Sequence, residues 1–260
     1  MFKISIITVV YNDVSHIEKT INSVLSQVYT DVEYLIIDGG SNDGTLNLIE
    51  KYQNRLSYFI SEKDSGIYDA MNKGINQAKG DWLLFLNSGD ILSNEHILLS
   101  IKDLLDEKTT VAYGDVRATS EEIEYQFDVK AGMAKGLLNN MVMNHQSCFI
   151  KRDWHLKNNY NLNYKIASDY HFMLRSFLAG RSFKYFPITI SVISTGGLSD
   201  ANRIRTFKEI LRIKNELNKT IWNYLYYSKQ LFYFLAIESL KRVIPGVVYQ
   251  QLYKLKYKKK

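Results

Sequence analysis

The chain has 260 residues, enough for one large α/β domain with an appendage or for two small domains, and its 46% hydrophobic and 23% charged residues are those of an ordinary globular protein. A single cysteine, Cys148, excludes an internal disulfide and a Cys-rich zinc site; it suits a reducing compartment and a small apolar core position. The formal charge of +6 is unevenly spread: residues 201–260 hold 14 Lys and Arg against 3 Asp and Glu, so the rest of the chain is net acidic and the two parts are expected to meet different partners.

Met1-Phe2-Lys3 runs straight into strand-like sequence, without a basic region followed by an apolar core, so no signal peptide is expected. Ile4 to Val10 is nearly continuous in apolar, β-branched residues and predicts a buried strand. Ser15 and Glu18 have capping-box spacing, and Ile17, Ile21, Val24 and Leu25 then share one helical face. Val32 to Ile37 predicts a second strand ending at Asp38, followed by the turn Gly39 to Gly44 and a short helix over 45–52. A third strand is expected over 56–60, a helix over 69–78, a fourth strand over 82–86, a helix over 97–105 and a strand over 111–113. This alternation implies right-handed crossovers and a mostly parallel sheet. It stops near residue 115, and 120–165 resists assignment. Beyond lie a helix over 168–178, a strand over 183–194, and helices near 201–217, 221–242 and 247–257.

In an open parallel sheet, ligands bind beyond the carboxyl ends of the strands. Here those ends carry Thr8, Tyr11 and Asn12; Asp38 and Ser41; Glu62 and Asp64; and Asn87, Ser88 and Asp90. Hydroxyls, amides and carboxylates thus collect at one edge. The edge is acidic and lacks both a Walker loop and a Gly-x-Gly-x-x-Gly motif. A nucleotide bound there needs its phosphates neutralised, and oxygen donors without His or Cys suit Mg²⁺ or Mn²⁺.

Four segments, Thr8 to Asn12, Asp38 to Thr45, Asp64 to Gly74 and Gly80 to Asp90, resemble family-two inverting glycosyltransferases with the GT-A fold over about residues 3–115. Asn144-His145-Gln146-Ser147 and Ser168-Asp169-Tyr170 extend the resemblance to about 200. The subgroup is similar to bacterial enzymes that assemble O-antigen, capsule or exopolysaccharide repeat units. The resemblance implies a GT-A domain over 1–200, with a nucleotide-binding half (1–115) and an acceptor half (116–200), then a helical extension over 201–260. It also implies a nucleotide-diphosphate sugar donor, UDP-linked, and a lipid-linked saccharide acceptor.

Residue by residue, it implies that Thr8, Tyr11 and Asp38 hold the nucleoside and that Asp64 lies near the nucleotide; Asn12, Ser41 and Lys73 are read with them as nucleotide-sugar-binding, Lys73 as a candidate phosphate contact. Asn87 and Ser88 border the donor and Asp90 holds the metal. His145 and Gln146 face the acceptor, and Asp169 is the general base. Two features depart from the family's pattern: Gly39 stands where many relatives have a second acid, and the metal motif keeps one carboxylate, Asp90.

Each residue has a plainer alternative. Asp43 and Asp90 suit helix caps, Asp64-Ser65-Gly66 a surface turn, Asp169 a helix-dipole carboxylate, and Lys73 and Arg175 solvated or paired charges. A non-catalytic nucleotide-binding scaffold is the competing function; a nucleotidyltransferase fits worse for want of a basic phosphate loop. In the tail, Trp222, Tyr224, Tyr226, Tyr227, Phe232, Tyr233 and Phe234 interleave with Lys219, Lys229, Lys241 and Arg242. That mixture suits a peripheral position on the inner, cytoplasmic face of a membrane, or an aromatic face packed on the domain. The apolar run Leu231 to Ile237 is too short to span a bilayer, and no groove-reading motif supports nucleic acid as a partner.

Overall fold

The computed structural model describes residues 2–120, 125–195 and 202–218, together with positions 225, 228, 229, 232 and 235. The strands are β1 (Ile4–Val10), β2 (Val32–Asp38), β3 (Tyr58–Ser61), β4 (Trp82–Phe85), β5 (Ile91–Leu92), β6 (Val111–Ser120), β7 (Tyr125–Val129), β8 (Cys148–Lys151) and β9 (Phe183–Ser194). The helices are α1 (Ile17–Leu25), α2 (Thr45–Glu50), α3 (Ile67–Gln77), α4 (Ile97–Ile101), α5 (Arg152–Leu156), α6 (Ser168–Leu178) and α7 (Arg203–Leu217).

All these strands join one sheet in the order β3-β2-β1-β4-β8-β6-β9-β5, with β7 added to β6. β1 lies between β2 and β4 and pairs in parallel with both, through Val10↔Asp38 on one side and Ile7↔Phe85 on the other. β3 extends the parallel half through Asp38↔Ser61. Beyond β4 the sheet is mixed: β8 is antiparallel to β4 and β6, β9 is parallel to β6, and β5 and β7 are antiparallel at the edges. The expected parallel pattern therefore describes the N-terminal half, where helices cross over. It ends at β4, where β8, far along the chain, pairs antiparallel.

Helices cover both faces. On one, α1, α2 and α4 seat Ile17, Ile21, Val24, Ile49, Ile97, Leu98 and Ile101 against the even-numbered positions of β1 and β2. On the other, α3, α6 and α7 seat Met71, Ile75, Phe172, Met173, Ile210 and Ile213 against Ile7, Leu35, Ile37 and Phe85. β1, β2 and β4 are covered on both sides, which is why their sequences are continuously apolar.

Three local expectations are corrected. The Ser15/Glu18 capping box does not form: His16 is the N-cap of α1, Ser15 turns to the His16 ring, and Glu18 accepts from the Tyr52 hydroxyl. Asp90 caps no helix, because β5 follows it and pairs with β9. The unassigned 120–165 stretch contains β7, β8 and α5. The tail helices expected over 221–242 and 247–257 fall outside the described residues, apart from the five isolated positions.

His155 on α5 is fully buried among Phe85, Tyr160 and Phe172, its ring stacked 4.1 Å from that of Phe172. Neither ring nitrogen has a hydrogen-bond partner. Burial pushes its pKa down from 6.5 to about 3. An unfolded imidazole takes up a proton below pH 6.5 that the folded one refuses until about pH 3. Stability from this site is therefore full above pH 6.5 and is lost as pH falls toward 3. At pH 5 the loss amounts to about 2 kcal/mol. His155→Phe should flatten the fall of Tm between pH 7 and pH 5, measured by circular dichroism. An unchanged pH slope would show that His155 is not the group responsible.

Candidate active site

Parallel pairing brings the carboxyl ends of β1, β2 and β4 to one edge. The Asp38 side chain is completely buried there. Its Oδ2 accepts from the backbone N–H groups of Gly40 (3.2 Å) and Ser41 (3.0 Å) and from the Ser61 hydroxyl (2.5 Å), and its Oδ1 accepts from the Ser41 hydroxyl (2.5 Å). Asp38 therefore folds the 39–44 turn around itself. Asn12, in the left-handed region at φ 48°, clamps the turn from β1: its N–H donates to Ser41 Oγ (2.7 Å), and its side-chain oxygen accepts from Asn42 N–H (2.9 Å). Gly44 is the N-cap of α2, and Asp43 before it accepts from the Thr45 N–H and hydroxyl; that hydroxyl bond heads the causes that hold its carboxyl below the ordinary range.

Tyr11 is 64% exposed at this rim. A Cβ built on Gly39 would stand 2.5 Å from Asp64 Oδ2 and 3.3 Å from Tyr11 Cδ2. The Asp64 carboxylate thus occupies the space that a side chain at position 39 would fill, and Asp64 Oδ1 accepts from Gly66 N–H at 2.8 Å. The acid absent at position 39 is matched by one reaching in from the β3–α3 loop.

Asp13 bridges the two halves of the rim and was not anticipated from sequence. Its Oδ2 accepts from the Ser88 hydroxyl (2.6 Å), its Oδ1 lies 2.5 Å from His16 Nδ1, and its N–H donates to Thr45 Oγ1. Beyond Ser88, Asn87 Nδ2 lies 3.1 Å from His145 Nε2, and His145 Nδ1 lies 3.3 Å from Asp169 Oδ2. An amide nitrogen only donates, so Nε2 accepts in this arrangement and the ring proton sits on Nδ1, facing Asp169. Tyr68, also unassigned from sequence, places its hydroxyl 2.9 Å from Asp169 Oδ1 and 2.7 Å from the Ile166 carbonyl. Asp169 Oδ1 accepts from Tyr170 N–H as well. Burial pushes the Asp169 carboxyl up, but the hydrogen bonds from His145, from Tyr170 N–H and from Tyr68 outweigh it, and the net pKa lies below the ordinary value. The Asp169 side chain is nevertheless 19% exposed, so it is ionised and reachable.

Asp90 is buried, and burial raises its pKa against the bonds from Gln146 Nε2 (3.1 Å) and Ser194 N–H (3.2 Å). Asn87 Oδ1 is buried without a partner. These two residues supply hard oxygen donors of the type Mg²⁺ or Mn²⁺ takes, although no group of three or more His, Cys, Asp or Glu is gathered for a metal among the described residues.

Tyr11, Asn12, Asp38, Ser41, Asp64, Asn87, Ser88, Asp90, His145, Gln146 and Asp169 thus share one rim. Two of the expected residues stand apart. Thr8 is fully buried, its hydroxyl 3.1 Å from that of Tyr34 inside the sheet face. Lys73 is paired with Glu62 (2.8 Å) and donates to the Lys63 carbonyl (3.0 Å), so it braces the loop before Asp64. Arg175 is exposed on α6.

The model of the family described as Glycosyl transferase family 2 matches residues 5–177. The chain belongs to glycosyl transferase family 2. It is a glycosyltransferase of GT-A architecture. The PGL/p-HBAD biosynthesis glycosyltransferase of Mycobacterium tuberculosis is 32% identical over 181 residues, covering 66% of this chain and 69% of that one. The structure of Staphylococcus aureus TarS (residues 1–349) with UDP-GlcNAc superposes with a TM-score of 0.65 at 18% identity, over 84% of this chain and 68% of that one. Mannosyltransferase PcManGT of Pyrobaculum calidifontis, with GDP-Man and Mn²⁺, gives 0.65 at 16% identity, over 83% and 64%.

The atom opposing a side chain at position 39 is the tip of Asp64, which can swing away at little cost. Gly39→Ala should therefore keep Tm within about 2 °C of the parent, a change of under ~1 kcal/mol, while a crystal structure shows the Asp64 carboxylate displaced from the rim. A large loss of Tm would mean that the turn itself, and not Asp64, requires glycine.

Proposed function

We propose that this glycosyltransferase moves a sugar, with inversion, from a UDP-linked donor to a lipid-linked saccharide in bacterial surface-polysaccharide assembly. The observation that carries the reading is Asp169: an ionised, reachable carboxylate hydrogen-bonded through His145 to Asn87 at the donor edge. The acceptor hydroxyl attacks the anomeric carbon from the face opposite the diphosphate and gives its proton to Asp169. The new C–O bond to the acceptor forms as the C–O bond to the diphosphate breaks, and the nucleoside diphosphate leaves with the electron pair. His145 and Tyr68 keep the base oriented throughout.

On the donor side, exposed Tyr11 offers a face on which a base stacks, and Asp64 offers an acceptor for a base or ribose hydrogen. Asn12, Asp38 and Ser41 shape the turn that borders the nucleoside. Asp90 and the unpartnered Asn87 carbonyl would hold Mn²⁺ or Mg²⁺, which neutralises the charge of the departing diphosphate. TarS is described with UDP-GlcNAc and PcManGT with GDP-Man and Mn²⁺, so this architecture accommodates such ligands.

On the acceptor side, a cavity of about 320 Å³ opens beside the loop that leads into His145, lined by Val116, Val129, Met141, Val142, Met143 and Asn144 with Lys130 at its wall. Its apolar lining and single cation suit the junction of a saccharide with a lipid phosphate. The tail supports a membrane position. Leu225, Phe232 and Leu235 are each helical and exposed, and the extension that holds them is strongly positive in charge. No helix among the described residues is long and apolar enough to cross a membrane. A relative is named as a glycosyltransferase of PGL/p-HBAD biosynthesis, which fits a biosynthetic role of this kind.

Asp169→Asn should abolish transfer while leaving nucleotide-sugar affinity within about twofold, since only the proton acceptor is lost; sustained turnover would remove the base assignment. A thermal-shift panel of nucleotide sugars should show stabilisation by a UDP-sugar that grows with Mn²⁺. Stabilisation by GDP- or dTDP-sugars alone would overturn the donor class. Gly39→Ala should weaken the same donor by about tenfold, the worth of one charge-assisted hydrogen bond.

A further inference from the structure

The matched family segment ends at residue 177, but the base is held from outside it. On α7, Glu209 is 5% exposed and points into the loop just before α6. Its carboxylate accepts from three consecutive backbone N–H groups: Lys165 at 3.1 Å, Ile166 at 2.8 Å and Ala167 at 3.1 Å. Ala167 is the N-cap of α6, and Asp169 is the second residue of that helix. The three donors lie in the loop up to and including that N-cap, so the chain leading into α6 is tied down by a carboxylate supplied from another helix.

The same loop is bonded to the rest of the site. The Ile166 carbonyl accepts from the Tyr68 hydroxyl, which also meets Asp169 Oδ1. Lys165 Nζ donates to the Ser65 carbonyl at 3.1 Å, next to Asp64 at the donor rim. One buried carboxylate thus anchors a segment that touches the base on one side and the donor loop on the other. α7 is seated for this by Ile210 and Ile213 in the core, and by Glu216, whose carboxylate accepts from the Tyr164 hydroxyl in the same loop. Arg205, one turn before Glu209, supplies its only charged partner among the ion pairs of the described residues, at 3.3 Å on the exposed side.

We infer that Glu209 is a positioning residue for glycosyl transfer: from beyond the family segment, it fixes the 165–167 backbone so that Asp169 faces the acceptor hydroxyl. The inference rests on the assignment of Asp169 as base. A glutamine at 209 keeps the shape and one acceptor oxygen but loses the charge that binds three donors at once.

The test uses the full chain carrying Glu209→Gln, with Glu209→Ala as the harsher variant. The readouts are Tm, nucleotide-sugar affinity, and UDP release from the donor that the thermal-shift panel selects, with water as acceptor. Glu209→Gln should lower the rate at saturating donor at least tenfold, with donor Kd within twofold of the parent and the Tm loss too small to unfold the protein at assay temperature. A rate within threefold of the parent overturns the inference. So does a rate loss accompanied by a matching loss of donor affinity or of folded protein, which marks Glu209 as structural only. Asp169→Asn run beside it separates the two assignments. If Asp169→Asn is inactive and Glu209→Gln is not impaired, the positioning role alone fails; if Asp169→Asn turns over normally, the base assignment fails first.

Discussion

β1 is hydrogen-bonded in parallel to β2 on one side and to β4 on the other, and parallel strands end on the same side of a sheet. The segments that follow the three strands are therefore forced into one rim, whatever their separation in sequence. That constraint sets Asn12 against Ser41, and Asp13 against Ser88, across 29 and 75 residues respectively. The antiparallel strands added beyond β4 then carry the second rim wall, because β8 is preceded by the turn that holds His145 and Gln146.

Within that rim the organising groups are buried carboxylates. Burying a charge without partners costs several kcal/mol, so each must collect hydrogen bonds. Asp38 collects them from its own turn, Asp90 from Gln146 and β9, Asp169 from His145 and Tyr170, and Glu209 from the loop before α6. Each carboxylate thereby immobilises the segment that supplies its donors. A site assembled in this way is ordered before the substrate arrives, and ordering in advance is what favours transfer over mere binding. The exception is instructive. Asn87 keeps a buried carbonyl oxygen with no partner at the point where the donor's diphosphate and its cation are proposed to sit.

The helical extension has two parts. α7 completes the core on the α3–α6 face and belongs physically to the catalytic body, although the extension as a whole carries the excess of positive charge. Further along, exposed apolar side chains at 225, 232 and 235 have no such role in the core. A single compositional boundary near residue 200 therefore joins one helix that packs to a segment suited to an interface.

The strands and helices of the first half were legible because burial on both faces leaves an unmistakable apolar run, and because Gly and Asp turns punctuate it. Ser168–Leu178 and Phe183–Ser194 were legible for the same reason of periodicity, and their bounds agree with the structure. The rim residues at the ends of the first strands could be named because topology sends strand ends to one edge, whereas His145, Gln146 and Asp169 could be named only from the family resemblance. What sequence could not decide is where side chains turn once they arrive. Thr8 and Lys73 are the right types in the right places, yet one faces inward to Tyr34 and the other grips Glu62. Asp13, Tyr68 and Glu209 carried no local signal, since their partners lie 75, 101 and 43 residues away in sequence. Only the folded chain brings such pairs within hydrogen-bond distance, and so only tertiary structure could reveal which carboxylate holds which loop.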